Sequence, residues 1–497
     1  MIYSLLPLWI LLTPLTAALI IFALGEERQF LRIVVNILAA VFKMVLVGIM
    51  LWGVERGHFF GLTFEVVPGI SLAFFADGFT MLFLVLSALL WLITTIYAIA
   101  YLEHAPNRCR FFGFFSLCMA ATMGIATAAN MFTFFIFYEL LTLSTYPLVV
   151  HRGTAKALRG GKVYLAYTLG GGALLLLGMV WLQSLGGGQH FVEGGTIGFL
   201  LAEYRWQLQA IFVLMIIGVG VKSALIPFHG WLPEAMVAPA PVSALLHAVA
   251  VVKAGAFGIV RIVHDVFGVP LVKLLGMAQI LLIFAAATIV YGSVRALMQT
   301  DIKKRLAYST VSQVSYITLG IAMGSPLAAM GGIVHLMHQG LMKITLFFCA
   351  GNLAETYDIS RVDQMNGIAR RMPWTMGAFS LAALAMIGIP PMAGFISKWY
   401  LGLGAVESRH YWVIAVLLAS TILNAAYFLP LIYRAWFRQP TIEWPRPSEL
   451  GFRHETHLGL LIPTLITALL ALSAGLFAGV AYSPKSWVEF IVRGLVM

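Results

Sequence analysis

Five of the 31 Lys and Arg residues fall inside long apolar stretches: Lys43, Lys222, Lys253, Lys343 and Lys398. Of the 20 acids, only Glu139, in FFIFYELLTLSTYP, reads as well inside one. If these stretches cross a bilayer, each charge costs at least about 2.5–3.5 kcal/mol on insertion scales, so several together call for a function. One acid cannot balance four central lysines. Some of the lysines must therefore be neutral part of the time, and a lysine that alternates between charged and neutral carries protons. Histidines join them. In HLMHQGLMK, His335, Gln339 and Lys343 fall at i, i+4 and i+8, one stripe of a helix, with His338 beside it. His247 precedes Lys253 by six residues, about one and two-thirds helical turns. Structural readings compete: Lys43 reads as a snorkelling side chain, Glu139 as half of a static ion pair, and His264 as a packing residue.

Two stretches beside these lysines are broken alike. VKSALIPFHGWLPEAMVAPAPVSALLHA (221–248) carries Pro227, Pro233, Pro239 and Pro241; AMIGIPPMAGFISKWYLGLGA (385–405) carries Pro390, Pro391 and Gly394. Proline removes a donor and clashes with the preceding turn. In lipid such a break is tolerated only where the backbone faces protein or a water-filled cavity. Paired Pro/Gly interruptions in two halves of a chain point to an ion site between inverted repeats, here placed at 111–263 and 274–433. Residues 1–110 then form an N-terminal three-helix region, and 434–497 a C-terminal helix.

The elements that must position these residues follow from composition. The chain is 61% hydrophobic and 10% charged, with mean hydropathy +0.93. A soluble domain carries about 25% charged residues, so this is an all-α membrane protein. Apolar runs of spanning length predict fourteen helices: 3–25, 30–53, 78–101, 111–129, 131–150, 162–185, 208–227, 240–263, 274–297, 306–323, 327–350, 374–397, 411–433 and 457–480. The first reads as a span and not a cleavable signal, since no Lys or Arg precedes it. GHFFGLTFEVVPGISLAFFAD, in the 54–77 break, alternates as a strand or hairpin does, and 183–195 reads as a Gly-rich turn. One set of alternate loops holds nineteen Lys and Arg, from Arg28 to Arg453. The other, with the tail, holds seven: Arg56, Arg205, Arg261, Lys273, Arg409, Lys485 and Arg493. That bias accounts for the net charge of +11 by topology, not nucleic-acid binding, and places both termini outside a cytoplasmic membrane. The three cysteines imply no disulfide framework, and no metal spacing, phosphate loop or nucleophile elbow is legible, so no metal or cofactor is expected.

Five segments in order, FADGFTMLF (75–83), FFIFYELLTLSTYPL (134–148), KSALIPFHGWLPEAMVAPAPVSALLHA (222–248), LMQTDIKKRLAYSTVSQVSY (297–316) and IGIPPMAGFISKW (387–399), resemble the antiporter-like subunits shared by respiratory complex I, membrane-bound hydrogenases and Mrp-type sodium/proton antiporters. The resemblance implies fourteen helices with two inverted five-helix repeats and a central axis of ionisable residues. Glu139 matches the fifth-helix glutamate, Lys222 the lysine of the broken seventh helix, Lys253 that of the eighth, and Lys398 the twelfth-helix residue, a glutamate in one complex I subunit. Where a second eleventh-helix histidine is usual, this chain has Gln339, with His338 one residue earlier. Glutamine cannot hold a proton, so that step falls to His338 or to water. Length and Lys398 look closest to the D-type subunits of Mrp antiporters; His247 with Lys253 looks more like the larger A-type subunits.

The expectation is therefore a proton-translocating subunit of a multi-subunit cation/proton antiporter, its partners being protons, Na⁺ or another monovalent cation, lipid and other membrane subunits. The alternative is a pumping subunit of an NADH:quinone oxidoreductase or hydrogenase-type complex, without redox chemistry of its own; a passive scaffold is the third reading. In the mechanism expected, Glu139 and Lys222 form a switchable ion pair. Its opening releases a proton to Lys253, the 335–343 stripe and Lys398.

Overall fold

A run of about twenty apolar residues has no water to satisfy its amides inside a bilayer, and a helix satisfies all of them internally. The computed structural model, which describes residues 2–3, 5–103, 105–188, 190–441, 444–450 and 453–494, is accordingly mostly helix. Twelve helices among these residues are long and apolar enough to cross a membrane: Leu6–Ala23, Gln29–Glu55, Gly78–Tyr101, Arg108–Thr127, Met131–Val149, Ala155–Ser184, Gly198–Lys222, Ala240–Phe267, Met277–Leu297, Pro326–Tyr357, Trp412–Phe437 and Leu458–Leu476.

Two expected spans fall outside that count for different reasons. Ile302–Met323 is a continuous helix, but its KKR and Ser/Thr/Gln content lowers its hydropathy. The 374–397 segment is two short helices, Pro373–Ile387 and Ala393–Glu407, divided at the Pro390–Pro391 pair. Beyond the last long helix, a short one at Pro484–Gly494 packs back onto the bundle, and Trp487 Nε1 donates to Gly78 O at 3.0 Å.

The first interruption begins immediately after Lys222 and contains only short turns, Trp231–Glu234 and Ala235–Val237, before the chain turns helical again at Ala240. A third break lies where the sequence carries no proline or glycine. Val249 (φ −132°, ψ −56°) and Ala250 (φ −87°, ψ −84°) leave helical geometry, separating Ala240–Ala248 from Val251–Arg261. His247 and Lys253 therefore lie on different helical segments, and the turn-and-two-thirds spacing expected of them does not hold. The same rod ends in a π turn over Ile262–Phe267, a feature frequent at functional positions.

The 54–77 connection forms a hairpin of β2 (Phe60–Val67) and β3 (Ile70–Ala76), turning at Gly69 (φ +80°), with β1 (Ile2–Tyr3) parallel to β2. The Gly-rich 183–195 stretch is no free turn. It is tied down by an Asn130–His190 bridge and by Phe191 N donating to Ala129 O at 2.9 Å.

Burial ranks the helices. Leu38, Phe42, Val45 and Ile49 on Gln29–Glu55 are exposed, an apolar face suited to lipid or to a neighbouring subunit. By contrast, the membrane-length windows of Ala240–Phe267 and Pro326–Tyr357 are wholly buried. These two central rods carry His247, Lys253, His335, His338 and Lys343.

Candidate functional site

Glu139 sits mid-way along Met131–Val149, a helix whose N-terminus is capped by Asn130 Oδ1 accepting from Thr133 N at 2.7 Å. The glutamate is half-buried, and its Oε1 has no hydrogen-bond partner. Space for it comes from Gly172 on Ala155–Ser184, where a Cβ would run into that oxygen. Lys222 closes its helix and is fully buried. Its Nζ donates to the Tyr138 carbonyl and stands 3.2 Å from the centre of the Tyr138 ring. No Glu139–Lys222 ion pair is closed: no carboxylate–ammonium contact within 4.0 Å joins them in this conformation. The lysine is bonded instead to the backbone of the residue next to its expected partner.

The Lys222–Ser223 backbone is pressed against Gly255, where any Cβ would strike Val219 O, Lys222 C and Ser223 N. This places Val251–Arg261, and Lys253 with it, directly beside the first break. Lys253 reaches the other way, its Nζ donating to Leu336 O at 2.8 Å. Adjacent His335 shares a 2.8 Å hydrogen bond between Nδ1 and Ser397 Oγ, and its ring lies 5.1 Å from that of Tyr316. Lys398 follows Ser397 in sequence. Its Nζ donates to Ile387 O at 2.7 Å and to Thr421 Oγ1 at 3.1 Å, 5.7 Å from the Tyr316 ring.

Lys398 follows the Pro390–Pro391 break by seven residues. Side chains on a helix lean toward its N-terminus, and the lysine stem carries the charge back across the break to the last carbonyl of the preceding half-helix. Lys343 points elsewhere, donating to Ser309 Oγ at 2.7 Å and Leu306 O at 3.1 Å. Ser309 is bonded to Tyr427 OH at 2.8 Å, which donates onward to Asn424 Oδ1. His247 stacks on Phe347 with ring centres 4.5 Å apart, and both its ring nitrogens lack a protein partner, as do those of His338 and the amide atoms of Gln339.

Two sequence readings fail outright. Lys43 does not snorkel: it is 0% exposed, with Nζ 4.1 Å from the centre of the Trp91 ring and without a hydrogen-bond partner. Arg261 is no loop charge. Arg261 is buried, paired with Asp77 at 2.8 Å and with Asp265, one helical turn on, at 2.6 Å; it also donates to Thr80 Oγ1 at 3.0 Å. The cluster lines a cavity of about 830 Å³ shared with Glu193 and His264. Burial pushes the Asp77 carboxyl up, but Arg261 outweighs it and leaves the group below its ordinary value. Burial next to Asp77 raises Glu193. The Asp–Gly pair in FADGFT was the available signal for Asp77; nothing nearby in sequence announces Arg261, 184 positions away.

Among the described residues no group of three or more His, Cys, Asp or Glu is placed to hold a metal ion. What the row holds instead is a succession of amines, imidazoles and hydroxyls. Lys222, Lys253, Lys343 and Lys398 each donate to a backbone carbonyl, and His335 shares a hydrogen bond with Ser397, whereas Glu139 Oε1 has no partner. Groups so arranged can pass a proton by rotation and hydrogen-bond exchange.

The profile described as "NADH:quinone oxidoreductase/Mrp antiporter, TM" matches residues 128–424. That described as "NADH-Ubiquinone oxidoreductase (complex I), chain 5 N-terminus" matches residues 68–112. The N-type subunit of the NADH-quinone oxidoreductase of Desulforudis audaxviator (strain MP104C) is 36% identical over 408 residues, 79% of this chain and 80% of that one. The D-type subunit of the Na(+)/H(+) antiporter of Bacillus subtilis (strain 168) is 26% identical over 505 residues, 97% and 98% of the two chains. In fold, a chain of the Mrp complex from Dietzia sp. DQ12-45-1b superposes with a TM-score of 0.83 at 22% identity, covering 99% of both. The segment containing Glu139, Lys222, Lys253, His335, Lys343 and Lys398 is thus the part spanned by the first profile, and the chain belongs to the family of membrane subunits shared by NADH:quinone oxidoreductases and Mrp antiporters.

Proposed function

We propose that this chain conducts protons across a cytoplasmic membrane along the Glu139–Lys222–Lys253–His335–Lys398 row, as one subunit of a Mrp-type cation/proton antiporter. The observation that carries the reading is the state of the interior lysines. Lys222, Lys253 and Lys343 are wholly buried, none has a carboxylate of the described residues within ion-pair distance, and each is held by a backbone carbonyl, as half-buried Lys398 is. Static interior charges are ordinarily paired; amines held by neutral acceptors are suited to gaining and losing protons. Lys343, with the hydroxyl chain through Ser309 and Tyr427, and His247 and His338 supply further stations.

In this reading fourteen membrane passes form two inverted repeats, near 111–263 and 274–433. The parallel between a lysine at the Ile226–Pro227 break and another at the Pro390–Pro391 break supports it. Both termini lie outside, on the argument of loop charge. The cation exchanged against the protons would be sodium or another monovalent ion. The 36% identity to an N-type subunit of an NADH-quinone oxidoreductase favours a second reading, a pumping subunit of a redox-driven complex. Purifying the assembly by a tag on this chain separates the two: small antiporter subunits support the first, iron–sulfur or nickel–iron subunits the second.

The test of conduction is Lys222→Ala in everted vesicles with a fluorescent ΔpH dye. Loss of transport at an unchanged level of protein in the membrane is expected. Near-normal exchange would remove Lys222 from the pathway.

A further inference from the structure

One buried cation has no place in that row. Lys43 stands midway along Gln29–Glu55, 0% exposed, with the face of Trp91 as its sole cation contact among the described residues. A desolvated cation–π contact is worth about 2 kcal/mol, less than the cost of several kcal/mol for isolating a charge in the interior. Packing alone gives no reason for a lysine there.

The surroundings do. Arg32, Asn36 and Lys43 form one stripe of the helix, 1% exposed or less. Asn36 Oδ1, Trp91 Nε1 and Thr94 Oγ1, one turn from Trp91, have no hydrogen-bond partner, nor does Ser116 Oγ. Ser116 follows Cys109 by seven residues, hence on the same face of Arg108–Thr127, and Cys109 Sγ accepts from Arg32 Nη1 at 3.2 Å. Each orphaned buried polar atom costs about 1–3 kcal/mol if it stays so. Water reaching these atoms would supply the partners they lack. The polar track runs in one direction only. Outward from Lys43 the stripe continues as Val47, Met50 and Val54, all apolar. At the other end Arg32 donates to Glu26 O and lies 3.7 Å from the Glu26 carboxylate, which is 46% exposed.

We propose that Lys43 is a second proton-exchanging site, separate from the Glu139–Lys398 row, reached from the Glu26 end through a polar recess that Arg32 gates. Among the described residues no other charged group opposes it from the elements packed around it. Leu6–Ala23 carries no titratable residue. Tyr97 on Gly78–Tyr101 is engaged with Phe348 O and Asn352, and Tyr101 closes that helix at the Glu26 end, ten residues beyond Trp91. On Arg108–Thr127, Cys118 bonds Ser144 and Thr145, Cys109 bonds Arg32, and Arg108 and Arg110 stand at the Glu26 end. Glu55 closes the opposite end of the Lys43 helix.

The test uses the full chain with Cys109→Ser, which can still accept from Arg32, and with Cys118 and Cys349 replaced by Ala, in sealed vesicles of both orientations. Lys43→Cys should react with methanethiosulfonate ethylammonium faster from the Glu26 face than from the other. Adding Arg32→Ala should speed that reaction about tenfold, the equivalent of releasing one gating hydrogen bond. Separately, Lys43→Met should move the midpoint of the dependence of transport on pH at the Glu26 face, by about one unit, and leave the other face unchanged. No reaction from either face even with Arg32→Ala, faster reaction from the opposite face, or a pH curve lowered without moving would each overturn the proposal. The pH readout rests on the proton conduction proposed above. The thiol readout does not, so a chain that moved no protons would still have its recess confirmed or refuted.

Discussion

Replacing Glu139 separates charge from shape. In this conformation the carboxylate is free of Lys222 but beside the residue that holds it, Tyr138. Closing the pair to 4 Å would place unit charges in contact worth about 4 kcal/mol at an effective dielectric of 20. Glu139→Gln keeps volume and removes all of that term, so proton transport should fall by between tenfold and about a thousandfold, at roughly 1.4 kcal/mol per decade. Glu139→Asp keeps the charge but withdraws it by one methylene. At about 5.5 Å the interaction is about 3 kcal/mol, and the loss of about 1 kcal/mol should cost only about fivefold. Neither change should unfold the chain, because Oε1 makes no hydrogen bond to lose. Initial rates of ΔpH formation in everted vesicles, normalised to the amount of assembled protein, give the comparison. Equal activity of the two variants would mean that Glu139 serves packing or hydrogen bonding, and the electrostatic switch would have to be given up.

Lys398→Ala should block turnover. Lys398→Glu, which restores a titratable group able when protonated to donate to Ile387 O, should retain part of it; equal loss in both would show that the amine itself, not titration, is required. His151, in the turn after Met131–Val149, is held at about 4 by burial and by Arg110 and Arg152 beside it. A base whose folded value lies below its ordinary 6.5 adds stability above that ordinary value and forfeits it as pH falls from about 6.5 toward 4. The melting temperature of the detergent-solubilised protein should therefore drop less over that window in His151→Phe, which keeps the edge contact with Phe111, than in the parent; parallel curves would refute the assignment.

The lysines and both proline breaks were legible because charge and proline stand out against apolar sequence. Their acceptors were not. Tyr138, Leu306, Leu336 and Ile387 act through main-chain oxygens, which leave no mark in residue type. The break at Val249–Ala250 has neither proline nor glycine to announce it. Gly172 was hidden in a run of three glycines, its importance set by a carboxylate on another helix. The Arg261–Asp77–Asp265 cluster escaped because its members, near predicted span ends, read as ordinary loop charges, and pairing across 184 positions is a property of the fold alone. A strand or hairpin, by contrast, was legible in the apolar–polar alternation of its residues.

The carbonyl acceptors also bear on how such a chain can diverge. A carboxylate partner can be lost by one substitution, whereas a peptide oxygen is present whatever residue occupies the position. Leu306, Leu336 and Ile387 can therefore drift among side chains of suitable size without disconnecting the amines they receive. The hydroxyl and imidazole stations, Ser309, Thr421, Tyr427 and His335, have no such protection. Inherited variation that alters the speed of the chain without abolishing it should accumulate at those side chains, and at the helix ends that fix where the oxygens point.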